Sequence, residues 1–188
     1  MSSRKQQVLD VAAELLQSRV FSAFSYQDIA DQLSISKAAI HSHYRTKEQL
    51  GNALLDSYLD ATKQVQAIAD NAGSSAWQKF DAYIDTMASR TINSGQVCMA
   101  SVLRLEHNVI SPAMQKGVEK VYELDKDWLE KVLIQGLENG EMSFKGSARS
   151  QASLIVIAIQ GALINARAEG EGAFFDTIEQ IRCNMMPD

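Results

Sequence analysis

From Arg4 to Arg19 the apolar positions Val8, Leu9, Ala12, Leu15 and Leu16 recur at steps of three and four, the spacing of one helical face. A first amphipathic helix is predicted there. Ser25-Tyr-Gln-Asp28 then sets a hydroxyl three residues ahead of a carboxylate, a capping-box pattern that satisfies orphan N–H groups at a helix start. The helix it opens, over 26–33, is short. Leu33-Ser-Ile-Ser36 interrupts it, and Ser36 can cap a third short helix from Lys37 to Tyr44. Thr46-Lys-Glu-Gln49 repeats the capping pattern ahead of a long helix, with Leu50, Leu54, Tyr58, Val65 and Ile68 available for burial.

Asn71-Ala-Gly-Ser-Ser75 ends that helix with turn formers and offers Ser74 or Ser75 as the next cap. Trp77, Phe80, Ile84, Met87 and Thr91 mark the face of a fifth helix, and after Asn93-Ser-Gly95 a sixth runs over 97–109. Ser111-Pro112, with Gln115 as capping partner, is the sharpest helix start in the chain. The seventh helix continues through Val118, Tyr122, Trp128, Val132 and Leu137 to Asn139-Gly140, about 28 residues or roughly 40 Å. An eighth, over 148–168, is apolar on nearly every side between Leu154 and Ile164, which a helix tolerates when buried all round. Phe174, Ile178, Ile181 and Met185 repeat at helical steps in a ninth. Ile-Val-Ile at 155–157 suits a strand on propensity alone, but no turn residues flank it. The reading is an all-α chain of about nine helices.

Composition supports this. Only 2 Pro and 10 Gly among 188 residues are too few for the reversals of a many-stranded sheet, and 46% hydrophobic with 22% charged residues is a globular balance. Cys98 and Cys183 cannot build a disulfide framework or a four-thiolate zinc site, which fits a reducing cytoplasmic compartment. The longest purely apolar run, Leu154 to Ile159, falls short of the roughly 20 residues of a membrane span, and the N-terminus reads as no export signal. No membrane partner, metal or cofactor is expected.

The net charge of −5 is uneven: residues 1–50 carry six Lys/Arg against five Asp/Glu, the rest twelve against eighteen. Between Leu33 and Lys47 stand Lys37, Arg45, Lys47, His41 and His43 with no acid. An anionic polymer would be accepted there. Two short helices joined by a four-residue turn, the second cationic, have the dimensions of a helix-turn-helix that seats its second helix in a DNA major groove. Ile29, Leu33 and Ile40 are spaced to be buried together, leaving Lys37, Ala38, Ala39, His41 and Ser42 toward DNA. The alanines admit close approach and can touch a thymine methyl, while Lys37 can donate to a guanine or a phosphate. His43, Tyr44 and Lys47 lie at the edges, where phosphates pass, and Ser25 and Tyr26 at the start of the preceding helix join the expected contacts. The bland alternative is two packed helices with no ligand.

Residues 8–55 resemble the N-terminal DNA-binding pattern of the TetR family of transcriptional regulators, most specifically in Asp28-Ile-Ala, Ile35-Ser-Lys, His43-Tyr44 and Lys47-Glu48. The resemblance implies that Lys37 and its neighbours contact bases and phosphates, that His43-Tyr44 closes the recognition helix, and that Lys47 holds a phosphate. It also implies a DNA-binding head at 1–47 and a helical effector-binding and dimerisation domain at 48–188. The chain departs from the pattern at Val20 and Ser34, where the family commonly has glycine, so a turn needing positive φ is expected to be built differently. Ala39 and His41 replace a usual Thr and Tyr, so no operator sequence transfers.

Trp77, Phe80, Tyr83, Met87, Met99, Leu103, Tyr122 and Trp128 are either plain core or, as the family implies, partly the lining of an effector cavity. Arg104, Glu106 and His107 read as surface residues or as polar contacts of that cavity. Cys98 is either a small buried hydrophobe or a reactive thiol at a helix start, which would make the protein an electrophile or redox sensor. A homodimer is expected through Ile155, Ile159, Gly161 and Ala162 with Phe174, Ile178 and Ile181, because the last two helices carry more apolar surface than one small domain can bury. No hydrolase, phosphate-loop or zinc-protease motif supports an enzyme. The expected partners are a double-stranded DNA operator, a small-molecule effector and a second copy.

Overall fold

The computed structural model describes residues 3–92 and 97–187, apart from the side chain of Arg90. The described residues form nine helices and no strand: α1 (Arg4–Arg19), α2 (Tyr26–Leu33), α3 (Lys37–His43), α4 (Lys47–Asn71), α5 (Ala76–Thr91), α6 (Met99–Leu105), α7 (Pro112–Glu138), α8 (Ala148–Glu169) and α9 (Gly172–Cys183). The strand alternative at 155–157 is excluded, since those residues lie inside α8. The predicted turn at Asn93-Ser-Gly95 lies outside the described residues. Helix α6 is shorter than the expected 97–109, because the chain leaves it at Glu106 and runs on in turns.

Two compact units divide the chain: Met1–Asp60 with Cys98–Val121, and Ala61–Val97 with Tyr122–Asp188. In the first, α1 packs on α2, α3 and α6, and its predicted face of Val8, Leu9, Ala12, Leu15 and Leu16 is buried with Ile29, Ile40 and Leu50. Each such Leu or Ile contributes about 1.5–3 kcal/mol by leaving water. Gly51 makes room there for two neighbouring side chains. A Cβ at that position would stand 2.5 Å from Met114 Cε and 3.0 Å from Phe21 Cζ.

The two departures from glycine take positive φ after all: Val20 at φ 72, ψ 160 and Ser34 at φ 52, ψ 46. Ser34 sits in the left-handed region, which a short polar residue tolerates, and ends α2. Val20 occupies a region that essentially belongs to glycine, a strain of about 1–3 kcal/mol that persists only where the surroundings hold it.

In the second unit α5 opens on a full capping box between Ser75 and Gln78, with Ser75 rather than Ser74 as the cap. Trp77 Nε1 donates to the Glu141 carbonyl at 2.8 Å, and the Glu141 carboxylate accepts the Ala76 N–H at 2.7 Å. Helices α8 and α9 pack on each other, and Ile155, Val156, Ile159, Leu163, Phe174, Ile178 and Ile181 on them are all buried. This corrects the dimer assignment: Ile155, Ile159, Ala162, Phe174, Ile178 and Ile181 are spent inside the chain. It also corrects the expectation of burial all round, because Leu154 (58% exposed), Ile157 (65%) and Ile164 (42%) face solvent with Gly161 and Phe175. By length and composition α8 could cross a membrane, with 33% of the stretch buried. Its exposed apolar positions, 154, 157, 161 and 164, form one stripe at steps of three and four.

Candidate nucleic-acid interface

The Ser25 hydroxyl accepts the Gln27 N–H at 3.2 Å, while the Asp28 carboxylate accepts from the Ser25 hydroxyl at 2.7 Å and from its N–H at 2.8 Å. The Ser25 hydroxyl, then its N–H, hold Asp28 below the usual carboxylate range, and Arg19 adds an ion pair at 3.1 Å. Thus α2 starts in a fixed place. The left-handed Ser34 then reverses the chain, the Ile35 N–H returns to the Ala30 carbonyl at 3.0 Å, and the Ser36 hydroxyl caps α3 on the Ala39 N–H at 3.3 Å. Ile29 and Ile40 are fully buried where the two helices meet, with Leu33 half-buried.

With Ile40 turned inward, α3 leaves Lys37, Ala38, His41, Ser42 and His43 exposed and Ala39 half-buried. The His41 and Tyr26 rings meet edge to face with centroids 4.7 Å apart, and the His41 Nδ1 is 3.2 Å from the Arg45 carbonyl. A carbonyl can only accept, so this contact calls for the tautomer with its proton on Nδ1, in which Nε2 is the acceptor. The Ser42 hydroxyl donates to the Ala39 carbonyl at 2.8 Å, which keeps its lone pairs for a donor on DNA.

Three expected DNA contacts are placed elsewhere. Tyr26 and Tyr44 are buried, and the Tyr26 hydroxyl donates to the Tyr44 carbonyl at 2.9 Å, joining the start of α2 to the end of α3. Burial, then Tyr44, push the Tyr26 hydroxyl up to about 12. Tyr26→Phe should therefore cost about 1–2 kcal/mol in urea denaturation, by orphaning a buried carbonyl, and leave base preference unchanged. Lys47 is half-buried: its Nζ donates to the carbonyls of Phe21 and Phe24 and sits 4.7 and 4.3 Å from the centres of their rings. Two of its three donors are spent, so it ties down the loop before α2 rather than standing open to a phosphate. Burial lowers its ammonium pKa, with Glu106 and Asp28 opposing. Arg45 and Thr46 beside it are exposed.

The sequence placed Glu106 on the surface or at the effector cavity, and the structure puts it against the loop after α1 instead. It is buried, and its carboxylate accepts the Phe21 N–H at 2.5 Å and the Ser22 N–H at 2.9 Å. No local pattern signals a pair 85 residues apart.

The expected effector residues fall in both units. In the second, Tyr83 and Trp128 stack with centroids 5.0 Å apart, Trp128 Nε1 donates to Asp70 at 3.0 Å, and Phe80, Met87 and Tyr122 are buried with Trp77 half-buried. Beside them Asp125, buried and unremarked in the sequence, accepts from Gln66 Nε2 at 3.1 Å and from the Tyr83 hydroxyl. Burial pushes its carboxyl up to about 6. A cavity of 170 Å3 is lined by Asp85, Ala88, Ser89, Ile92, Glu171 and Phe175, none of them among the expected residues. In the first unit Cys98, Met99 and Leu103 are buried, and Cys98 Sγ lies 2.9 Å from the Tyr58 hydroxyl. A buried thiol already hydrogen-bonded to a hydroxyl does not favour the sensing alternative.

Residues 8–54 match the family described as bacterial regulatory proteins, tetR family, and residues 76–181 match the C-terminal domain of LmrA/YxaF-like transcriptional regulators. A TetR transcriptional regulator from Legionella pneumophila is 30% identical, with a TM-score of 0.88 over 98% of both chains. A TetR-family regulator from Agrobacterium tumefaciens is 25% identical, with a TM-score of 0.91 over 96% of this chain and 97% of its own. The HTH-type transcriptional repressor DhaR of Mycobacterium sp. (strain GP1) is 19% identical over 88% of this chain and 83% of its own.

Proposed function

Because the chain belongs to the TetR family of transcriptional regulators, we propose that it is a cytoplasmic, ligand-responsive repressor that leaves a palindromic operator when a small molecule binds. Residues 1–47 are the DNA-binding head, and residues 48–188 bind the effector and pair two copies. The observation that carries this reading is the face of α3, where Lys37, Ala38, His41, Ser42 and His43 are exposed opposite the buried Ile40. Lys37 donates to a guanine or a phosphate, Ala38 lets the backbone approach, and His41 Nε2 accepts from an exocyclic amine of adenine or cytosine. Two copies joined by the exposed stripe of α8, with Phe175, would present two such helices about 34 Å apart, or a multiple of that, matching successive half-sites. An effector that prefers another spacing lowers operator affinity by the ratio of its affinities for the two states. Its chemistry is that of the buried aromatic and polar side chains of the second unit, Tyr83, Trp128 and Asp125 foremost.

Selection of bound fragments from the source genome, followed by titration across a salt series, tests the reading. Lys37→Ala should lose about 1–3 kcal/mol on the selected operator and relax preference at one base position. Equal binding of all fragments by the unaltered protein would overturn the assignment.

A further inference from the structure

The turn between α1 and α2 is built from a strained residue and a divided set of backbone partners. Val20 closes α1 at φ 72, its N–H still on the Leu16 carbonyl at 3.0 Å. The next two N–H groups, of Phe21 and Ser22, have left the helix and both point to the carboxylate of Glu106, one to each oxygen. The carbonyls of Phe21 and Phe24 instead hold the Lys47 ammonium. Four elements of one compact unit thus meet at this loop: the end of α1, the start of α2, the start of α4 and the C-cap of α6. A carboxylate bridging two backbone donors, one buried and one part-buried, is among the stronger hydrogen-bond arrangements.

We propose that Glu106 is a positioning residue for operator binding: its carboxylate holds the strained Val20–Ser22 turn, which aims the helix-turn-helix, and withdrawing it frees the head to leave DNA. The proposal rests on the DNA-binding reading above. A non-glycine residue at this φ and ψ persists only where its surroundings over-determine it, and Glu106 supplies the partners of the two following peptide units. With those bonds gone, Val20 relaxes toward negative φ and the chain enters α2 from a new direction. The helix pair itself does not depend on the clamp, since Ile29, Ile40 and the bond from Tyr26 to Tyr44 hold α2 on α3 without it. Losing Glu106 therefore misaims a folded head. Glu106 lies directly after the last residue of α6, so any displacement of that helix acts on both N–H groups at once.

The test uses the full-length protein, an operator fragment that it selects itself, and a scrambled duplex of equal length. Glu106→Ala should bind the operator at least 30-fold more weakly, while affinity for the scrambled duplex and the salt slope stay within twofold, because no phosphate contact is lost. Glu106→Gln, which keeps one acceptor oxygen, should fall between. Hydrogen exchange should accelerate at the Phe21 and Ser22 amides and not at Ile40. Val20→Gly, which accepts positive φ without strain, should restore at least fivefold of the operator affinity lost in Glu106→Ala. A residue with a merely structural role would show no such rescue. Operator binding by Glu106→Ala within threefold of the unaltered protein, or equal loss on both duplexes, would overturn the proposal. If the unaltered protein prefers no fragment, the DNA-binding reading has failed, and unchanged exchange at Phe21 and Ser22 in Glu106→Ala then sinks the clamp independently.

Discussion

Ile157→Glu should leave the chain folded and weaken pairing of two copies at least 100-fold, so that a protein sedimenting as a dimer at micromolar concentration becomes a monomer. Ile157 is 65% exposed in the single chain, so the new carboxylate stays in water there and intrachain packing is untouched. In a two-fold interface the same patch meets itself, and a charge placed within it is desolvated and stands close to its copy. Both effects oppose association, and breaking such contacts by an unpaired buried charge typically costs about 3–5 kcal/mol. Operator affinity should fall with the dimer, because one head alone reads one half-site. Gly161→Leu gives a second, uncharged test: a Cβ at Gly161 meets nothing within 4 Å in the chain, so a large side chain is harmless to the monomer and obstructs only a partner. Ile155→Ala should do the reverse and lose about 2–5 kcal/mol of folding stability, since Ile155 is fully buried within the chain. A monomeric unaltered protein, or an Ile157→Glu variant that sediments as it does, would remove α8 from the interface.

That contrast also marks what the sequence could tell. Helices α1 and α2 were legible to the residue, because the three- and four-residue apolar steps of α1 and the Ser25–Asp28 capping box of α2 are local and independent of what they pack against. The outward face of α3 followed from Ile40 alone. In α8 the same logic failed, since apolar residues stand on both faces and periodicity cannot say which face a helix keeps for its own chain and which for a second. Ile155 and Ile157 differ by two residues and by nearly the full range of exposure. Tyr26 and Lys47 carry the right chemistry for DNA, yet a phenol and a long ammonium chain can equally turn inward onto backbone carbonyls of another segment, and here both do. Glu106 and Asp125 are ordinary acids on polar helix faces until the tertiary fold encloses them.

Asp125→Asn should stabilise the protein at neutral pH and leave it unchanged in acid. The Asp125 carboxyl has a folded-state pKa of about 6 against an ordinary value of 3.8, because burial penalises its charged form more than the hydrogen bonds from Gln66 and Tyr83 favour it. The direction of the pH dependence follows from which state holds the proton. Below pH 4 both folded and unfolded chains carry it, and the residue makes no distinction between them. Between about 4 and 6 the unfolded chain gives up its proton while the folded chain keeps it, so stability contributed at low pH is lost as pH rises through this window. Above it, the folded protein carries a buried carboxylate at a cost of order ~3 kcal/mol. Asparagine keeps the shape and the oxygen that accepts from Gln66 and has no charge to bury, and the Tyr83 hydroxyl can turn to accept from its amide. Urea denaturation of the two proteins should thus give curves that coincide near pH 4 and separate to about 2–3 kcal/mol in favour of Asp125→Asn by pH 7.5. Curves that run parallel throughout would mean that Asp125 is hydrated in the folded protein and that its network with Gln66 and Tyr83 is open to water. A loss of effector response in the stabler Asp125→Asn variant would identify Asp125 as a ligand-recognition residue.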